Sequence, residues 1–181
     1  MQQKPLKDRK CRVCRTSYQP RSTFQKVCGP RCLPTFLQNE RQRKCAREKR
    51  EGRERLRTRR DWVKLAQSVF NAYIRERDKS LPCISCHMES SYQGQWHASH
   101  YRSVGAAPEL RFDEANVHKS CAQCNSHKSG NVVEYRIRLV QKIGASEVER
   151  LEGPQAARHY DIAALKAIRD EYRRRLRELR Q

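Results

Sequence analysis

Cys83-Ile84-Ser85-Cys86 and Cys121-Ala122-Gln123-Cys124 decide how this chain is read. The close spacing within each pair lets two thiolates point at one ion from a tight turn. Two such pairs complete a tetrahedral site of four sulfur ligands, the pattern of a structural zinc. A thioredoxin-like redox centre is the competing reading, but it needs one pair and a βαβ context.

Working outward, Cys11-Arg12-Val13-Cys14 and Cys28-Gly29-Pro30-Arg31-Cys32 form a second quartet, with Gly-Pro supplying the turn. A knuckle this small has almost no core, so a second structural zinc would supply most of its folding energy. Cys45 belongs to neither quartet and is expected to be unligated.

Composition agrees with small, metal-stapled modules. Of 181 residues, 36% are hydrophobic and 33% charged, too few apolar groups for one large core. The net charge of +20 calls for a polyanionic partner, and nucleic acid is the first candidate. Charge alone implies binding, not cutting. No apolar run has membrane-spanning length and the first residues lack a signal-peptide core, so an intracellular, thiol-reducing setting is expected.

Four segments follow. Residues 1–36 hold the four-cysteine knuckle. Residues 37–60 form a basic helical linker containing eleven Lys or Arg. Its polar surface suits either a solvated helix or one lying on DNA. Residues 61–144 hold the central quartet and five of the six histidines. Residues 145–181 form a C-terminal helical extension. Asp61 is expected to cap a helix that buries Trp62, Leu65, Ala66, Val69, Phe70 and Tyr73. Val133, Ile137 and Val140 have helical spacing, closed by Gly144. A last helix is expected near Asp161, with Ile162, Leu165, Ile168, Tyr172, Leu176 and Leu179 as its apolar stripe. These patterns are mainly helical; the expected fold class is α+β.

The residues with chemical potential lie inside the central frame. His97-Ala98-Ser99-His100-Tyr101 and Asn116-Val117-His118 fall between the two cysteine pairs, and Asn125-Ser126-His127-Lys128 follows Cys124. Each has an ordinary reading: a hydrogen-bonded structural histidine for His100, a turn for Asn116, a helix cap for Asn125. Their joint placement resembles that of a His-Asn-His (HNH) nuclease, in which a ββα-metal unit of treble-clef type threads a four-cysteine frame. The resemblance makes His100 the general base, Asn116 the residue that orients it, and Asn125 a metal ligand. Many such enzymes carry Asp just before the base, whereas this chain has Ser99. His97 and His127 are then candidate ligands for a catalytic Mg2+ or Mn2+, beside Asn125.

The wider resemblance is to the NinG/Rap family of lambda-like phages. It runs from Trp62 to about Gly144 through Arg75-Glu76-Arg77-Asp78, Leu81-Pro82-Cys83, Ser99-His100-Tyr101-Arg102, Ala106-Ala107-Pro108, Leu110-Arg111-Phe112 and Cys124-Asn125. It extends more loosely to the knuckle, the basic run and the last helix. It implies a metal-dependent, structure-specific DNA endonuclease acting on branched recombination intermediates such as Holliday junctions and D-loops, in the cytoplasm of a phage-carrying bacterium. Arg102 and Lys128, with Arg47, Arg50 and Arg57 of the basic run, are the expected DNA contacts. Two cuts per junction call for a two-fold homodimer. The rival readings are a non-catalytic zinc-finger protein that binds nucleic acid, and an accessory protein that recruits recombination partners through its knuckle.

Overall fold

The computed structural model describes residues 6–181. It divides into two compact units, one ending at Arg57 and the other spanning Thr58–Gln181. The class is α+β, with helices outweighing two small sheets.

In the first unit, β1 (Arg9–Lys10) pairs antiparallel with β2 (Ser17–Tyr18), setting Arg9 opposite Tyr18. Between them the chain turns tightly: the Cys11 N–H donates to the Thr16 carbonyl, and Arg15 adopts a left-handed φ of 65°. After the second cysteine pair comes α1 (Leu33–Arg55), entered through Pro34, whose missing N–H is harmless in a first helical turn. No residue of α1 is buried. The basic run expected over 37–60 is not one helix. α1 stops at Arg55, and Arg59 and Arg60 open the next.

In the second unit, α2 (Arg59–Arg77) starts earlier than the sequence reading placed it. Thr58 is the N-cap, and Asp61 answers it from the third helical position in a reciprocal capping box. The helix buries Trp62, Ala66, Phe70, Tyr73 and Ile74. Against it lies a hairpin of β3 (Trp96–His100) and β4 (Val117–Cys121), with Trp96 opposite Cys121 and His100 opposite Val117. Then follow α3 (Val132–Ile143), α4 (Ala145–Glu152) and α5 (Ile162–Glu178). Asp161 caps α5, its carboxylate accepting the Ala164 N–H at 2.7 Å.

α5 is no appendage. Leu165, Ile168, Tyr172 and Leu176 pack with α2 into one cluster, joined edge-to-face by Phe70–Tyr172 and Phe70–Phe112. Ile162 and Leu179, expected in the same stripe, are exposed. A second cluster gathers Ile84, Tyr101, Leu110, Tyr135, Leu139, Val148 and Leu151 around α3 and α4. Here the expected face of α3 is corrected. Val133 and Ile137 are 75% and 51% exposed, Val140 packs against the cluster as expected, and Tyr135 and Leu139 are buried in it. Gly144 at φ +87° turns the chain directly from α3 into α4.

Candidate functional site

The central quartet brings its four sulfurs within 4.8 Å of one another. Cys86 Sγ and Cys121 Sγ stand 3.7 Å apart. Four thiolates bound tetrahedrally at about 2.3 Å would be roughly 3.8 Å apart, so the residues fit zinc. Burial pushes the Cys83 thiol up, but the backbone N–H groups of Cys121 and Ser85 and the Ser120 hydroxyl outweigh it and bring it down to about 7. Burial and the neighbouring sulfurs drive Cys124 the other way. Four sulfurs this close ionise together only around a cation. The N-terminal quartet has the same geometry, with Cys14–Cys28 at 3.6 Å and Cys28–Cys32 at 3.7 Å. Cys45 lies outside both groups.

The central frame holds β3 and β4 in register, and the site residues sit on this hairpin and the turn after it. His97 on β3 meets Asn125, whose amide stands 3.0 Å from His97 Nδ1. Asn125 lies in the single π turn Gln123–His127 that follows Cys124. An amide flip exchanges its nitrogen and oxygen, so the pair offers one imidazole nitrogen and one carbonyl oxygen to a cation. Ser99 shares a strand face with His97. Its hydroxyl is buried and has no hydrogen-bond partner. His127 is exposed, and among the described residues no hydrogen bond joins it to His97 or Asn125. Among the described residues no hydrogen bond or ion pair brings a carboxylate to His97 or Asn125, and the cysteine quartets are the only groups of three or more His, Cys, Asp or Glu ligands.

His100 ends β3. Its Nε2 lies 3.0 Å from the Arg111 carbonyl, which can only accept, so Nε2 carries the proton and Nδ1 the lone pair. Burial holds its pKa below the usual imidazole value. It is therefore neutral at pH 7, as a general base must be.

No hydrogen bond joins Asn116 to His100. Fully buried, Asn116 accepts the Arg102 N–H at 2.8 Å and donates to the Arg102 and Leu110 carbonyls at 3.0 and 3.2 Å. It thus pins the loop whose next carbonyl, that of Arg111, holds the His100 ring. The direct hydrogen bond to His100 that an orienting Asn116 would make is absent; its partners are Arg102 and Leu110. Tyr135 and Glu152 add to the clamp: the Tyr135 hydroxyl donates to the Ser99 carbonyl at 3.0 Å, and Tyr101 hydrogen-bonds Glu152. Arg102 directs one guanidinium N–H to the Glu152 carbonyl at 3.0 Å, leaving the rest for any phosphate.

His118 is structural. Its Nε2 donates to the Ala115 carbonyl, and its Nδ1 receives Arg77 and Lys142, each at 3.0 Å. These surround Asp78, a buried carboxylate that also accepts the Lys119 N–H. Arg77 forks onto Asp78 at 2.8 and 2.9 Å and reaches the Val117 carbonyl, so this network fastens the end of α2 to β4. Sequence reasoning missed it, along with Glu152 and Tyr135. The only local signal is a charged pair at a helix end just before Leu81-Pro82. Lys128 is exposed beside His127; Arg47 and Arg50 are exposed on α1, and Arg57 lies just beyond it.

A family model described as Bacteriophage Lambda NinG protein matches residues 3–181. Protein ninG of Escherichia phage lambda is 40% identical over 202 residues, covering 99% of this chain and 97% of that protein. Protein ninG of Escherichia phage 933W is 40% identical over 192 residues, covering 95% and 94%. Protein ninG of Salmonella phage P22 is 49% identical over 125 residues, covering 69% and 61%. No solved structure matches the chain.

Proposed function

The chain belongs to the NinG family, and from that premise we propose that it is a metal-dependent HNH-type endonuclease that cuts branched DNA during recombination. The observation that carries the reading is His100: a neutral imidazole whose Nε2–H is fixed on a backbone carbonyl, on the strand where His97 meets Asn125. A net charge of +20 supports a polyanionic substrate.

In this mechanism His100 Nδ1 takes a proton from the attacking water. The imidazolium that forms keeps its other N–H on the Arg111 carbonyl, so no reorganisation is needed. The water oxygen bonds to phosphorus and the bond to the 3′ oxygen breaks. The leaving oxygen takes a proton from solvent water, and the His100 imidazolium returns its own proton to solvent, giving a 5′ phosphate and a 3′ hydroxyl. His97 and Asn125 would hold a divalent ion, which when bound supplies positive charge to the scissile phosphate. An imidazole ligand and no carboxylate favour Mn2+ or a softer ion over Mg2+. Cys83, Cys86, Cys121 and Cys124, and likewise Cys11, Cys14, Cys28 and Cys32, would hold zinc with four protein ligands, so that ion would serve the fold and not the chemistry.

The missing carboxylate also gives weight to a second reading, a zinc-stabilised protein that binds branched DNA without cutting it. One experiment separates them: a synthetic four-way junction and a matched linear duplex, each with Mg2+, Mn2+ or neither, beside His100→Ala. Metal-dependent cutting of the junction, reduced about 10²–10⁴-fold in His100→Ala, is the expected result. Normal cutting by His100→Ala would remove the base assignment. Tight binding without cutting under any metal would leave the binding reading standing.

A further inference from the structure

The first unit contains none of the groups placed in the chemistry, yet it carries the longest helix. α1 spans 23 residues and buries none of them. A helix polar all round either bridges solvent or lies on a charged partner. Arg43, Arg47, Arg50 and Arg53 recur at intervals of four and three residues, which keeps them on one side of the helix. With Ala46 and Arg57 they line a groove of about 560 Å³ that has no acidic residue in its walls. Arg43 also lines the neighbouring hollow with Arg12, Arg15, Phe36, Asn39 and Glu40, whose single carboxylate is the one already paired with Arg43. The arginine surface is therefore continuous from the helix to the loop of the first cysteine pair. Arg15 is presented there by a left-handed backbone turn.

We propose that the N-terminal unit is a clamp for the phosphate backbone of duplex DNA, with the cysteine loop and α1 acting as one surface. This rests on the nuclease reading only in taking DNA as the partner. Protein interfaces centre on buried aromatic or aliphatic anchors. The groove on α1 offers guanidinium groups and one methyl, the chemistry of sequence-independent phosphate contact. The exposed pairs Arg43–Glu40 and Arg47–Glu51, at 3.3 and 3.6 Å, are weak and open readily to a phosphate. From Arg43 to Arg57 the surface is about 21 Å long, enough to follow about six phosphates of one strand. A branched substrate has arms beyond the scissile point, and this surface grips one of them.

The test measures binding of the full-length, zinc-loaded protein to a labelled linear duplex by anisotropy, across a KCl series without added Mg2+ or Mn2+. Arg47→Gln/Arg50→Gln/Arg53→Gln keeps good helix formers in α1. It should flatten the slope of log K against log [KCl] by about 2–3, and Arg12→Gln/Arg15→Gln by about 2. Arg41→Gln/Lys44→Gln/Arg55→Gln removes the same charge outside the groove and should shift the slope by less than about 1. An unchanged slope in the first two variants overturns the clamp, as does an equal loss in the third, which would mean net charge alone. Loss confined to an RNA duplex would overturn DNA as the partner. Because nothing is cut in this assay, failure of the nuclease reading leaves the slopes as they are.

Discussion

The two cysteine quartets use one ligand chemistry in two settings. In the second unit, Cys83, Cys121 and Cys124 are each 1% exposed and pack with Trp96 beside a sheet, two apolar clusters and a buried ionic network. In the first unit, Cys14 and Cys28 are exposed, and among its described residues only Cys11, Pro20 and Val27 are buried. With zinc bound, the same four-sulfur motif would be a fastener where a core exists and the source of the fold where none does. Apparent binding energies of about 10–16 kcal/mol for structural zinc in small fingers show that an ion can carry a unit alone.

Stripping the metal should have the largest effect. With a strong chelator, the amides of Cys11–Arg31 should lose hydrogen-exchange protection entirely, while those of α2 and α5 remain slow. Simultaneous collapse of both units would break the comparison. Leu165→Ala attacks the other side: Leu165 is fully buried between α5 and α2, and its truncation should cost about 2–5 kcal/mol. Denaturation followed by tryptophan fluorescence would report that loss, with zinc retention at the first quartet unchanged. A similar response in both units would show that they fold as one.

Acid should then sharpen the contrast. Burial holds His118 and His100 below the usual imidazole pKa. Depressed folded values mean that the unfolded chain binds protons first. Stability is therefore full above about pH 6.5 and is lost as pH falls toward the folded values. Burial alone would raise Asp78, but His118, Arg77 and Lys142 hold it well below the carboxylate range, so its contribution survives until strongly acid pH. The first unit up to Arg57 has no histidine. Thermal melts from pH 7.5 to 6, with zinc content followed in parallel, should show decline in the second unit alone. The smallest effect is at the helix cap: Thr58→Ala removes the capping box and should lower stability by about 1 kcal/mol, read as faster exchange in the first turn of α2.

What was legible in the sequence follows the range of the forces involved. The quartets, the buried face of α2 and the start of the last helix near Asp161 are local patterns, and each is where spacing places it. The face of α3 was misread because Val133-Ile137 and Tyr135-Leu139 share the same four-residue interval. Packing against α4, Tyr101 and the β3–β4 hairpin selects the second pair. Asn116, Asp78 and Glu152 act on partners 14 to 51 residues away, and no local pattern encodes such contacts. His97 and Asn125 were named as ligands from placement, yet their approach across 28 residues needed the hairpin to be built. Ser99 was visible as a departure, but not that its hydroxyl would be buried and unpaired.

Cys45 stands apart from these contacts, exposed on α1 and outside the wall of the arginine groove. Eight of the nine thiols converge in fours. A thiol-reactive dye therefore counts metal occupancy: one label per chain when both quartets are loaded, five when one has emptied, nine when both have. The residue that takes no part in either cluster is the gauge by which the two can be compared.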